Sequence, residues 1–236
     1  MIELLNMDCI DYLRDCEDNA FDLAIVDPNY GIGASRPSNK AGNVKQKNGS
    51  LSFMPDAGYA HKDWDDKPAD DSYFDELIRV SENQIIWGVN FYARVFGKGR
   101  IVWDKVNDHM DQFDCELAYC SLNNRVDIVR YMWAGFMQGS KIGGNSIVSS
   151  QQMGDKSRNE KRIHPTQKPV KLYDWLLSNY AEPGQRILDT HLGSGSSAIA
   201  AHYGQFDFVG MEIDKDYYDA AVKRFDAETA QLDIFG

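Results

Sequence analysis

The sequence predicts an α/β fold with a mainly parallel central sheet and helices on both of its faces. Short β-branched and aromatic runs alternate with helical patterns, the order that builds strand–helix–strand units. A glycine-rich strand–turn–helix, RILDTHLGSGSSAIA (186–200), lies near the end of the chain. Only 41 of the 236 residues follow Gly195, enough for one helix, one strand and a final helix. Earlier segments must therefore supply the rest of the sheet. The units are circularly permuted relative to a domain that begins with its glycine-rich turn.

Taken in order, FDLAIVDPNY (21–30) is an apolar strand running into a turn. Asp71 and Ser72 cap a helix whose Phe74, Leu77 and Ile78 share a face. QIIWGVN (84–90) and RIVWDKV (100–106) are short strands between breakers, with Trp87 and Trp103 in the core. ELAYCSL (116–122) and VDIVRYMW (126–133) are further strands. Pro169 takes a first-turn position before Tyr173, Leu176, Leu177 and Tyr180, which recur at helical spacing. RILD (186–189) is a strand and SSAIAAHY (196–203) a helix closed by Gly204. DFVGMEID (207–214) is a strand, and Asp214 caps the last helix. Residues 31–62 and 135–163 are polar and glycine-rich, the mark of binding loops within a compact domain.

With 43% apolar and 12% aromatic residues, the chain is not disordered. It has no apolar run of membrane length, and its acidic start has no leader pattern, so a cytoplasmic protein with no membrane partner is expected. Cys9, Cys16, Cys115 and Cys120 form no C-x-x-C pair and read as reduced, buried thiols rather than a metal site. The net charge is −11, but it is unevenly spread. Residues 31–62 carry five Lys+Arg and one Asp, a local +4. Residues 121–168 carry eight Lys+Arg against Asp127, Asp155 and Glu160, a local +5. Phosphate contacts need local cations rather than a basic average, so the acidity does not exclude a nucleic acid.

Two turns carry the chemistry. Gly193-x-Gly195-x-x-Ala198 fits a dinucleotide fingerprint, with Glu212 ending the next strand as a ribose partner. A purely structural turn is the competing reading, and the permuted order disfavours a nicotinamide oxidoreductase. Asp27-Pro28-Asn29-Tyr30 follows a strand directly, at the sheet edge where ligands bind. There a carboxylate, a turn carbonyl and an aromatic face are presented together, as a planar exocyclic amine requires; an ordinary Asp-Pro turn is the alternative.

These motifs resemble those of β-class amino-methylating DNA methyltransferases. DPNY is similar to their (D/N/S)PP(Y/F/W) catalytic motif, LDTHLGSGSSAIAA to their DPFxGSGT cofactor loop, GMEID to their acidic second-strand motif and HPTQKP (164–169) to the segment before that loop. Catalytic motif first and cofactor motif last is the β-class order, and IIWGVNFYARVF followed by VWDK resembles small phage-type adenine methyltransferases. Asn29 stands at the second proline and Thr190-His191 at the Pro-Phe.

The resemblance implies a circularly permuted Rossmann-like fold, S-adenosylmethionine (AdoMet) as methyl donor and the N6 amine of a flipped adenine in DNA as acceptor. It assigns catalysis to Asp27, Pro28, Asn29 and Tyr30: Asp27 and the Pro28 carbonyl accept the amine hydrogens, and Tyr30 stacks on the base. It places Gly193, Ser194, Gly195 and Ser196 around the methionine part of AdoMet, with Asp189, Thr190 and His191 nearby. Glu212 and Ile213 fall at its ribose, Asp8 and Cys9 at its adenine, and Asp27 and Lys168 in the same pocket. Residues 31–70 become a mobile DNA-facing loop, 134–163 a small target-recognition insert and 231–236 a tail. Gln231-Leu232-Asp233-Ile234-Phe235 resembles a sliding-clamp-binding peptide, and many β-class enzymes pair as homodimers. N4-cytosine methylation and a weakly active AdoMet- or nucleic-acid-binding module remain alternatives.

Overall fold

Strand β2 (Phe21–Val26) is buried on both faces, as a central parallel strand must be, and the sheet is laid out from it. The computed structural model describes residues 1–36, 42–45, 49, 51–54, 59–107, 113–134, 137–141, 147–148 and 159–230. Ahead of β2 come β1 (Ile2–Leu5) and helix α1 (Cys9–Asp15); after it, β3 (Gly42–Lys45) and β4 (Leu51–Met54) form a separate antiparallel hairpin. Helix α2 (Asp71–Val80) leads into β5 (Ser81–Trp87), β6 (Arg100–Asp104), β7 (Cys115–Cys120), β8 (Val126–Ala134), β9 (Met137–Lys141) and β10 (Ile147–Val148). The described chain closes with α3 (Val170–Tyr180), β11 (Arg186–Asp189), α4 (Ser196–Tyr203), β12 (Asp207–Met211) and α5 (Lys215–Thr229).

The main sheet runs β1–β12–β11–β2–β5–β7–β6–β8–β9–β10. Its first five strands are parallel, β7 is antiparallel to both its neighbours, and β8 is parallel to β6. The permutation is visible at one seam. Late strand β11 pairs with early strand β2 through Ile187–Leu23 and Leu188–Ala24, and the chain leaves that seam in opposite directions toward β12 and β5. Such a switch point opens a crevice at the carboxyl ends of the strands.

Alternating residues feed two cores. Leu23, Ile25, Ile85, Trp87 and Ile187 pack under α3, α4 and Ala221 of α5. Ala24, Val26, Ile86, Leu188 and Val209 pack on the other face with Leu13 of α1 and Phe74 and Leu77 of α2. Trp87 and Trp103 are fully buried, as expected.

Several details differ from the sequence expectation. Asp70 rather than Asp71 or Ser72 caps α2, because its carboxylate accepts the Tyr73 N–H at 3.0 Å, and Ile78 turns outward at 39% exposure. Pro169 sits one residue before α3, in extended conformation (ψ 149°). Cys115 is exposed. The loop-rich stretches contain the β3–β4 hairpin and, beyond β8, β9 and β10. The clamp-like peptide at 231–235 and most of the 134–163 insert lie outside the described residues. Among the described residues no helix is long and apolar enough to cross a membrane.

Candidate active site

At the β11/β2 seam a cavity of about 490 Å³ opens at the carboxyl edge of the sheet. Its walls gather most of the residues singled out from the sequence. Asp8, Cys9, Asp27, Asn29, Lys168, Thr190, His191, Gly193, Ser194, Ser196, Glu212 and Ile213 all line it.

Each wall has a local cause. Asp8 caps α1 by accepting the Ile10 N–H at 2.8 Å, which places Cys9 in the first turn; burial, followed by the Asp8 charge, pushes the Cys9 thiol up to about 12. Gly193 (φ 54°) and Gly195 (φ 75°) take the left-handed conformation that glycine adopts without strain. The Gly193 N–H donates to Glu212 Oε2 at 2.9 Å, and Glu212 Oε1 accepts the Asp214 N–H at 2.9 Å. Thr190 bridges the Tyr73 hydroxyl (2.6 Å) and the His191 ring (2.9 Å), and burial lowers His191 to about 4, leaving it neutral.

Two expected residues stand behind the wall. Asp189 turns inward, accepting the Ser197 hydroxyl at 2.6 Å and the His191 N–H at 3.0 Å, and Gly195 packs against Ala221 as the N-cap of α4. Burial pushes the Asp189 carboxyl up to about 7. A carboxyl raised on folding stabilises the protein below its unfolded pKa and loses that contribution as pH rises through the folded value. Between pH 4 and 7, Asp189 therefore tilts stability downward by about 1.4 kcal/mol per pH unit at most. In Asp189→Asn this share of the slope should vanish in thermal melts taken across that range; an unchanged slope rejects the assignment.

A second cavity of about 820 Å³ adjoins the first, sharing Asp27, Asn29, Trp64, Thr166, Gln167 and Lys168 and adding Pro28, Tyr30, Lys105, Glu116, Trp133 and Arg162. The DPNY turn divides the two. The Tyr30 hydroxyl donates to Asp27 Oδ1, and the Tyr30 ring stacks on Phe91 at 4.8 Å. Tyr92 donates its hydroxyl to the Pro28 carbonyl at 2.9 Å. Asn29 Nδ2 donates to the Lys67 carbonyl at 2.6 Å, a tether that proline at this position does not make. Lys168 is buried on Asp27 Oδ2 and on Glu116, not solvated at the surface.

Sequence reasoning missed Asp65, Trp64, Tyr92, Glu116 and Lys105. Asp65 is buried and accepts the backbone N–H groups of Tyr30, Gly31, Ile32 and Ala34, so it fixes the loop that follows the turn. Trp64 lies against His164 at 5.2 Å on the shared wall, and burial lowers His164 to about 3. Glu116, one charge within the apolar run ELAYC, was the available signal for the group beneath Asp27. Some cations counted toward a nucleic-acid surface are already engaged: Arg36 with Asp66, and Lys62 with Asp214 and Asp216.

The family model described as DNA methylase, covering N6 and N4 amino-methyltransferases, matches residues 95–223. The chain belongs to that family. Two similar curated proteins are the type II methyltransferase M.HpaI of Haemophilus parainfluenzae and M.BglII of Bacillus subtilis. The first is 23% identical over 95% of this chain and 74% of its own length, the second 23% over 99% and 71%. Among solved structures, the M1.HpyAVI complex with S-adenosylmethionine superposes with a TM-score of 0.52 at 16% identity, over 95% of this chain and 100% of that one. The cytosine-N4-specific PvuII methyltransferase superposes at 0.53 and 12%, over 97% and 90%.

This methylase is a β-class amino-methylating enzyme with the AdoMet-dependent α/β fold, and DNA is its substrate. The first cavity fits the donor. Its volume lies within the ~300–1,000 Å³ of small-molecule sites. Its lining includes the carboxylates of Asp8 and Glu212, the apolar side chains of Met7, Leu192 and Met211, and Ser196 at the α4 N-terminus.

Proposed function

We propose that this methylase transfers the methyl group of AdoMet to the N6 amine of an adenine flipped out of DNA. One observation supports it most: the Asp27-led turn stands where the two cavities meet, so an amine held there faces the donor site. Bound AdoMet supplies an electrophilic methyl on its sulfonium sulfur. The chain supplies position. Asp8 and Cys9 border the donor's adenine, Glu212 and Ile213 its ribose, and Gly193, Ser194 and Ser196 its methionine portion. Asp27 accepts one amine hydrogen. The Pro28 carbonyl, with one lone pair taken by Tyr92, accepts the other on its second lone pair. Both bonds draw the nitrogen lone pair out of conjugation and toward the methyl, so alignment carries the catalysis. Extrusion of the base costs a few kcal/mol. Tyr30, whose ring stacks on Phe91 at 4.8 Å, supplies the aromatic face for the base, a contact worth about 1–3 kcal/mol.

Asp rather than Ser at the head of the turn favours adenine over cytosine in this reading. Residues 31–70 and 134–163 take the DNA-facing roles, and the enzyme works in the cytoplasm of a bacterial or phage-infected cell. The test is incubation of the protein with methyl-labelled AdoMet and unmethylated DNA, followed by nucleoside analysis. N6-methyladenine is expected. N4-methylcytosine moves the substrate to cytosine, and unlabelled DNA overturns the reading.

A further inference from the structure

We propose that Glu116 and Lys105 are positioning residues for methyl transfer, acting through Lys168 to set the orientation and charge of the Asp27 carboxylate. The inference rests on the reading of Asp27 as the amine acceptor and adds two residues to which the resemblance assigns no role: Lys105, the last residue of VWDK, and Glu116, outside its motifs.

The four groups form one buried line. The Lys168 ammonium pairs with Asp27 on one side and with Glu116 Oε2 at 3.0 Å on the other. The second Glu116 oxygen pairs with Lys105. Side-chain exposure is 3% for Lys168, 15% for Glu116 and 12% for Lys105, so solvent screens these charges little. Aromatic faces flank the line: Lys168 lies 5.6 Å from the Tyr30 ring centroid and 5.5 Å from Trp87, and Lys105 lies 4.9 Å from Trp103. Register explains the assembly. Glu116 on β7 pairs with Trp103 on β6, Lys105 follows β6 directly, and Lys168 arrives from the turn before α3.

Two cations and two anions balance, and the balance controls Asp27. Burial pushes the Asp27 carboxyl up, and the Lys168 ammonium opposes it. Burial also favours neutral Glu116, yet Lys168 and Lys105 together hold it down to about 2, so it stays an anion at any working pH. That fixed anion favours protonated Lys168 and gives its ammonium a second carboxylate beside Asp27. The Tyr30 hydroxyl on Oδ1 and Lys168 on Oδ2 then fix the carboxylate plane and leave one lone-pair site on each oxygen for an incoming amine. Without Glu116, Lys168 has Asp27 as its remaining carboxylate partner, which weakens and re-aims the acceptor.

Buried ion pairs contribute little net stability, so stability does not account for this placement. Glu116 and Lys105 line the second cavity and not the first, so the inference separates two readouts. In Glu116→Gln, AdoMet affinity measured by calorimetry should stay within about twofold of wild type, while kcat falls about 10²-fold, the cost of a misplaced reacting group. Glu116→Asp, which keeps the charge, should recover at least about tenfold of that loss. Lys105→Met, one ion pair farther out, should lose about tenfold in kcat with the same unchanged affinity, and it provides the reading if Glu116→Gln fails to fold. A kcat within about threefold of wild type in the folded variants overturns the inference, as does AdoMet affinity falling in step with kcat. Absence of DNA methylation by the wild-type chain overturns the proposed function itself, and this inference with it.

Discussion

Replacing Asp27 by Ala is expected to lower kcat for DNA methylation by about 10³-fold while the protein still binds AdoMet. The expectation follows from what the carboxylate does in place. It accepts Tyr30 and Lys168, one on each oxygen, and both partners come from outside its own strand. An alanine removes the acceptor for the target amine and frees both partners to move. The donor cavity loses one wall residue among many, so AdoMet affinity should change far less than turnover. Asp27→Asn separates charge from shape: it keeps one oxygen but turns an N–H₂ toward either Lys168 or the substrate amine, and it should be almost as inactive. Folding provides the control. Lys168 retains Glu116 in both variants, so the melting temperature should fall by several degrees without loss of the folded state. Methylation by Asp27→Ala at near wild-type turnover would remove this residue from catalysis.

The seam that places Asp27 was legible in the sequence because it rests on short-range signals. An apolar strand ending in Asp-Pro, a strand ending in Asp189 before a Gly-Ser turn, and the residue count after Gly195 together require a late unit to insert beside an early one. Cap chemistry was legible where the signal is local, as with the Asp214 carboxylate on α5 and the backbone N–H of Gly204 after α4. It failed by one residue at α2, where Asp70, Asp71 and Ser72 all carry capping chemistry and only the backbone decides between them.

The charges beneath the turn were not legible, for a physical reason. Glu116 and Lys105 meet because β7 runs antiparallel between β5 and β6, a pairing that reverses the simple chain order. Hydrophobic periodicity gives the strands and not their neighbours. The resemblance therefore put Lys168 of HPTQKP in the pocket with Asp27, while nothing in the sequence marked Glu116 as its second partner. Asp65 was hidden differently. It serves four backbone N–H groups of a loop some thirty residues earlier, and backbone donors leave no mark in sequence. Asn29, a departure from the usual second proline, reads in the structure as a gain: its amide ties the turn to Lys67, on the segment that also carries Asp65.

The largest stability effect is expected at Arg224, far from the chemistry in sequence and directly behind the donor cavity in space. Its guanidinium is buried and donates to the Ser194 carbonyl at 3.0 Å, the Ser196 hydroxyl at 2.9 Å and Glu160 at 2.9 Å. Glu160 in turn accepts the Val170 N–H at the start of α3, and its backbone pairs with Gln138 of β9. One cation thus joins the glycine-rich turn, α3 and the far sheet. Arg224→Met keeps the side-chain volume and leaves Glu160 buried without its cation, a change expected to cost about 3–5 kcal/mol and to lower the melting temperature by about 10 °C. AdoMet affinity should fall as well, since Ser194 and Ser196 line the donor cavity. Burial already raises the Glu160 carboxyl, and Arg224 opposes that rise. Removing the cation raises it further. A carboxyl raised on folding loses its stabilising contribution as pH climbs through the folded value, so the variant's deficit should deepen from pH 5 to pH 8. The double variant Arg224→Met/Glu160→Gln should recover about half of the lost stability, because a neutral amide still reaches Val170 and the one carboxylate left without Arg224, Glu228, has a partly exposed side chain. If the double variant is instead less stable than Arg224→Met, the loss came from packing around the guanidinium and not from the orphaned carboxylate.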